Sequence, residues 1–179
     1  MRTVYPLDVL NANKNKGLLY YKDDTHWNDL GAYLAYKEMM KSLDIKPVVV
    51  SFKQKTMERG KGDLATMIRL KSSVYSRIEY PTVATQTVGK CEDISKETND
   101  KMTFLCTNPA GTGKAIVFRD SFTTAVQPYL AATFKETKLY WHYYIKDIAP
   151  SELKQYDVII LETVERAVPL LAEMHKRKR

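Results

Sequence analysis

Three apolar runs constrain the fold more than anything else in this chain: "KAIVF", "KLYWHYYI" and "YDVIILETV". Each is continuous rather than alternating, and each pair is separated by enough residues for a helix. Strands buried on both faces read this way, and strands that alternate with helices form a parallel sheet covered on both sides. The first run places a strand at Ala115 to Phe118, with a polar turn at Arg119 to Ser121. A helix follows from about Thr123, carrying Val126, Tyr129, Leu130 and Phe134 on one stripe. The closing "VPLLAEMHKRKR" is expected to be a helix whose basic end suits the helix dipole.

Upstream, Thr3 to Leu10 reads as a short strand and "NANKNKG" as a polar turn. In "DLGAYLAYKEMMKSL", Leu30, Tyr33, Leu34, Met40 and Leu43 recur at helical spacing, with Asn28 or Asp29 as the N-cap. "PVVVSFKQKT" is β-rich, and "GKGDLATMI" is a loop entering a short helix. From Arg69 to Met102, short Thr, Val and Tyr runs are broken by "YP", "VGK" and "TND", a small β-rich insertion.

A chain of 179 residues fits one domain, residues 1–179. Domains near this length bury roughly 70% of the surface their unfolded chains expose. Hydrophobic content of 44% and charged content of 27% are those of a globular protein. No apolar run approaches the ~20 residues of a membrane helix, and no signal peptide opens at Met1. "MRTVYPLDVL" instead reads as entering mid-domain. The net charge of +7 comes from scattered lysines and the terminal "HKRKR". With no stripe, no zinc-finger spacing and no RNA-recognition signature among the 12 tyrosines, no nucleic-acid partner is expected. Cys91 and Cys106 form a disulfide if the protein works outside the cytoplasm, or sit reduced in a core; composition leaves both open.

"NPAGTGKA" looks briefly like a phosphate-binding loop, but Asn108 stands where Gly is needed and Ala115 where Ser or Thr is needed. A strand follows it, not the helix whose N-terminus would hold phosphate. "IVFRDSFTT" carries more. A serine between a buried strand and a helix sits at the sheet edge where α/β proteins bind ligands. The backbone N–H of Ser121 is positioned there to donate to an oxyanion. The alternative is that Ser121 merely caps the helix.

Serine needs a base, and the chain offers three histidines. His175 falls in the basic tail, and His142 falls within an aromatic strand as a core residue. His26, in "YYKDDTHWND", lies in a loop before a helix with acids beside it. In an extended segment residues two apart point the same way, so Asp24 would hold the His26 Nδ1 proton and Asp23 would point away. Metal is the competitor, but one Asp and one His fall short of the three protein ligands usual for a catalytic zinc. No metal and no cofactor is expected.

Four blocks resemble a known family. "YYKDDTHWNDLGAYLAYKEM" is similar to the Asp-x-His-Trp block of the SGNH-hydrolase-like alginate O-acetyltransferases, the AlgX/AlgJ group, and of the related DHHW proteins of Gram-positive bacteria. "VFRDSF" followed by "VQPYL" resembles their serine block, and "KGDLATMI" and "YDVIILETVERAV" two further blocks. The Asp-His block precedes the serine, as in that family and opposite to ordinary SGNH hydrolases.

The resemblance implies an SGNH-hydrolase-like parallel sheet flanked by helices, lacking some N-terminal strands, as the C-terminal part of a longer domain. It implies a nucleophile at Ser121, a base at His26 and an orienting acid at Asp24, with Arg119, Asp120 and Trp27 as oxyanion or pocket candidates. Arg119 replaces the glycine common in such serine blocks and would alter the pocket mouth. The implied activity is O-acyl, commonly acetyl, transfer or hydrolysis on a cell-surface or exported polysaccharide. The implied setting is extracytoplasmic, with a membrane-bound O-acyltransferase as partner. Missing strands or oxyanion donors would leave the chain inactive alone. The expectation from another class is a non-catalytic carbohydrate-binding protein of the same fold, its Tyr and Trp residues stacking on sugar.

Overall fold

The computed structural model describes residues 1–58, 62–71, 77–84, 89–98, 101–169 and 171. It divides into two compact units, Met1–Thr87 and Val88–Arg179.

The first unit begins with helix α1 (Leu7–Asn13), where a strand was expected from Thr3 to Leu10. The β-branched Thr3 and Val4 suggested extension, but Pro6 sits at the N-cap and Leu10 faces inward one turn on. Leu10 packs with Leu19 and Leu34, which anchors α1 against helix α2 (Asp29–Ser42). Asn28 caps α2 as expected, its Oδ1 accepting from the amides of Leu30 at 3.0 Å and Gly31 at 3.2 Å. A Cβ at Gly31 would fall 2.3 Å from the Leu19 carbonyl oxygen, so only glycine lets the incoming chain lie on the helix start. Strands β1 (Phe52–Glu58) and β2 (Arg77–Val83) pair antiparallel, and helix α3 (Asp63–Met67) comes between them in the chain. The β-rich reading of "PVVVSFKQKT" is half right: the strand starts at Phe52. Val48 is instead pinned to α2, its N–H donating to the Tyr36 hydroxyl and its carbonyl accepting from that of Tyr33, each at 2.9 Å.

The second unit holds a five-stranded sheet ordered β3-β4-β6-β5-β7. Its members are β3 (Lys90–Asp93), β4 (Phe104–Thr107), β5 (Lys114–Phe118), β6 (Glu136–Tyr140) and β7 (Val158–Leu161), with helices α4 (Ser95–Thr98), α5 (Gln127–Thr133) and α6 (Pro150–Leu153). The fold is mixed α/β. The three strands predicted from the apolar runs are the parallel part of the sheet, β5 lying between β6 and β7. Ala115, Ile116, Val117 and Phe118 are fully buried, which is why that run has no polar alternation. Phe118 is in register with both Tyr140 and Leu161, so all three strands end on one edge. β3 and β4 extend the sheet antiparallel on the β6 side.

"KLYWHYYI" leaves the sheet earlier than its composition suggests. β6 ends at Tyr140, and His142 lies beyond it, partly exposed rather than in the core. The expected C-terminal helix falls, from residue 172 onward, outside the described residues, as does His175.

Cys91 and Cys106 face each other across β3 and β4 and are bridged, their Cα atoms 3.9 Å apart. The bridge closes a loop with a sequence separation of 15, which in the chain-entropy model is worth about 3 kcal/mol. Cys91→Ser with Cys106→Ser is therefore expected to lower unfolding free energy by about 3 kcal/mol. Denaturant titration of the two proteins checks this, and coincident midpoints would contradict it.

Candidate active site

The loop Asp23 to Trp27 is closed by its own backbone. Tyr20 and Trp27 form an antiparallel bridge, and the Tyr21 amide donates to the His26 carbonyl at 3.2 Å. Inside it, Asp24 Oδ1 accepts from the His26 backbone amide at 3.0 Å and lies 2.7 Å from His26 Nδ1. Sequence reasoning paired the right aspartate with His26 for the wrong reason. The segment is a series of turns, and a carboxylate that bonds the amide two residues on is a local turn device, not strand alternation. The Asp24 side chain is 7% exposed and that of His26 is 29% exposed, so the acid is sheltered while the imidazole stays reachable. A carboxylate at Nδ1 puts the ring proton there and leaves Nε2 as the basic atom.

Asp63, at the start of α3, was missed. Its Oδ1 accepts from the Thr25 amide at 2.6 Å, its Oδ2 from the Thr25 hydroxyl, and Oδ2 lies 3.7 Å from His26 Nδ1. The only sequence signal was the short "KGDLATMI" block, which does not say where it packs. Gly62 makes the approach possible: a Cβ there would sit 2.0 Å from the Asp23 carbonyl oxygen. The Asp23 side chain turns to this junction, accepting from the Gly62 amide at 3.3 Å. Trp27 is 9% exposed and packs toward the start of α2 near Gly31, a core role rather than a pocket one.

Asp24, His26 and Asp63 each offer a ligand atom, all within 4.8 Å of one another. The third ligand that the sequence lacked is thus supplied by α3, and the trio has the composition of a divalent-cation site.

In the second unit, Ser121 opens a 3₁₀ turn, Ser121–Ala125, just past the end of β5. The helix expected from about Thr123 comes in two parts, this turn and then α5. The cap is Asp120, whose Oδ1 accepts from the Phe122 amide at 2.8 Å. Capping therefore does not explain Ser121.

The turn is held from inside. Asp120 Oδ2 accepts from the Tyr143 hydroxyl at 2.9 Å and the Val164 amide at 2.7 Å. Glu162 Oε2 accepts from the Asp120 amide at 3.2 Å and the Thr123 hydroxyl at 2.8 Å. Arg119, expected at a pocket mouth, is 2% exposed. Its guanidinium lies 4.3 Å from the Trp141 ring centre and donates to the Asp120 carbonyl at 3.3 Å and the Thr124 hydroxyl at 3.2 Å. Burial pulls its pKa down, partly offset by Glu162 and Asp120. Arg119 thus braces the turn, and the Asp120 carboxylate, an acceptor, cannot donate to an oxyanion.

Burial, reinforced by the charge of Asp120, pushes Glu162 up to about 7. The unfolded carboxyl titrates near its model value of 4.5. Between these values the folded protein keeps a proton that the unfolded chain has lost. Stability therefore falls as pH rises through this window, and the penalty persists above it. Glu162→Gln lacks this slope. Its melting temperature relative to wild type is expected to rise between pH 5 and pH 8 (roughly the span of the two protonation states). Thermal melts at both values check this, and parallel profiles would contradict it.

The first unit thus presents a histidine paired with an aspartate, and the second a serine on a turn just past a parallel strand. The profile of the SGNH hydrolase-like domain of acetyltransferase AlgX matches residues 3–113, and the chain belongs to this family. The matched stretch contains Asp24, His26 and Asp63 and ends before Ser121.

Among solved structures, the chain is similar to a DHHW family protein from Eubacterium siraeum, at 17% identity and a TM-score of 0.67 over 88% of this chain and 63% of that one. It is similar to Bacillus cereus PatB1 carrying a sulfonyl adduct, at 17% identity and a TM-score of 0.57 over 87% of this chain and 65% of that one. The O-acetyltransferase domain of Pseudomonas putida AlgJ is similar at 14% identity and a TM-score of 0.53, over 93% of this chain and 60% of that one. The chain thus spans under two thirds of the length of these structures. No curated protein matches the sequence. Among the described residues, no helix is long and apolar enough to cross a membrane.

Proposed function

We propose that the chain is the catalytic part of a serine-dependent O-acyltransferase or esterase, using Ser121 as nucleophile, His26 as base and Asp24 as orienting acid, with both units serving one SGNH-like domain. The observation that carries this is the 2.7 Å contact between His26 Nδ1 and Asp24 Oδ1, in a family named for an acetyltransferase. In the first step His26 Nε2 takes the Ser121 proton while Oγ bonds to the acyl carbon. The resulting oxyanion accepts from the Ser121 amide, and its collapse expels the donor alkoxide, which takes the proton from Nε2. In the second, Nε2 takes a proton from a sugar hydroxyl or water as its oxygen bonds to the acyl carbon, and collapse breaks the bond to Ser121 Oγ, which takes that proton back from Nε2. These residues complete both steps without a cofactor.

The acceptor we propose is a cell-surface or exported polysaccharide, with a membrane-bound O-acyltransferase as the source of acyl groups. The Cys91–Cys106 bridge supports an extracytoplasmic setting, since such bridges persist in oxidising compartments. A chromogenic acetyl ester tests the chemistry: turnover unaffected by a chelator fits the serine mechanism. Turnover lost on chelation would instead favour a cation held by Asp24, His26 and Asp63. Saccharide binding without turnover would make the chain a non-catalytic carbohydrate-binding protein.

A further inference from the structure

Beside the edge where β5 and β6 end, the second unit has a cavity of about 630 Å³ that the catalytic reading does not use. It is lined by Tyr140, His142 and Tyr144, whose rings step outward in contact, with centroids 5.2 Å apart and then 5.7 Å apart. Tyr144 is 45% exposed at the rim, with the Lys146 ammonium 5.8 Å from its ring centre. The polar groups are ordered. The Tyr144 amide donates to His142 Nδ1 at 3.0 Å, which places the ring proton on Nε2 as a donor. Glu152 Oε1 accepts from Lys138 at 2.6 Å and from the Tyr140 hydroxyl at 3.0 Å, leaving Oε2 as an acceptor.

Flat rings beside fixed donors and acceptors suit a ligand with one apolar face and a hydroxylated edge, which is a pyranose. The charge decides which kind. Among the described residues, Glu97, Asp147 and Glu152 line the cavity against the ammonium of Lys138, already engaged by Glu152, and that of Lys146, which lies beside the Tyr144 ring. A carboxylate-bearing sugar would meet like charge there, although the chain as a whole is basic.

We propose that this cavity is a subsite for a neutral or N-acetylated sugar residue and that it discriminates against uronates. As the acceptor subsite it rests on the acyl-transfer reading, but sugar binding can be measured apart from catalysis. The probes are tri-N-acetylglucosamine and trimannuronate, titrated by NMR into the Ser121→Ala protein. The neutral trimer should perturb amides from Tyr140 to Tyr144 and bind more tightly than the uronate. Tyr144→Ala should weaken it about tenfold, the scale of one lost aromatic contact, while Tyr144→Phe should keep it. No binding, equal or tighter uronate binding, or an unchanged affinity in Tyr144→Ala would each overturn the subsite. A failure here with wild-type ester turnover intact removes the subsite alone. Sugar binding without any turnover removes the catalytic reading and leaves the subsite standing.

Discussion

Ser121→Ala is expected to reduce acetyl-ester turnover by about a million-fold, the scale seen when the nucleophile of a serine triad is removed. The variant should keep its fold. The turn is capped by Asp120, and braced by Glu162, Tyr143 and Arg119, none of which works through the Ser121 hydroxyl. Loss of activity with an unchanged melting temperature would therefore report chemistry alone. Turnover within tenfold of wild type in the folded variant would remove Ser121 from the mechanism (about 1.4 kcal/mol of barrier is no nucleophile's share).

Asp24→Asn is expected to lower turnover by about 10⁴-fold, as when a triad acid becomes an amide. An amide nitrogen facing Nδ1 favours the wrong tautomer and cannot stabilise the imidazolium. Asp63 cannot substitute, because at 3.7 Å its Oδ2 is beyond hydrogen-bond range of Nδ1 and is held by Thr25. Asp23→Asn should do little, since asparagine keeps an oxygen for the Gly62 amide. Paired assays of the two variants with one acetyl ester check this. Equal losses, or a larger one at Asp23, would contradict the assignment and bring the cation reading forward.

The parallel strands were legible because double-sided burial writes a continuous apolar run, and α2 because Asn28 and the spacing of Leu30, Leu34 and Met40 agree. Helix α1 was not, because a seven-residue helix draws its stability from packing Leu10 against α2 rather than from propensity. The antiparallel pairing of β3 with β4 left no local mark beyond two cysteines. At the site, the Asp24–His26 pair was visible because it is local. Asp63 was hidden because it arrives from 38 residues beyond Thr25, through an approach that only Gly62 permits. Arg119 misled in the opposite way. A charge beside the serine suggests an open mouth, yet its guanidinium is stacked on Trp141, a partner that only the end of β6 brings near.

Sulfonylation measures the central claim most directly, that Ser121 is a nucleophile activated by His26. Treating the protein with phenylmethylsulfonyl fluoride and locating the adduct by peptide mass spectrometry should find it on Ser121. Labelling should be much slower in His26→Ala, where no base takes the hydroxyl proton. An adduct on another residue, or labelling of Ser121 at the wild-type rate without His26, would contradict the account.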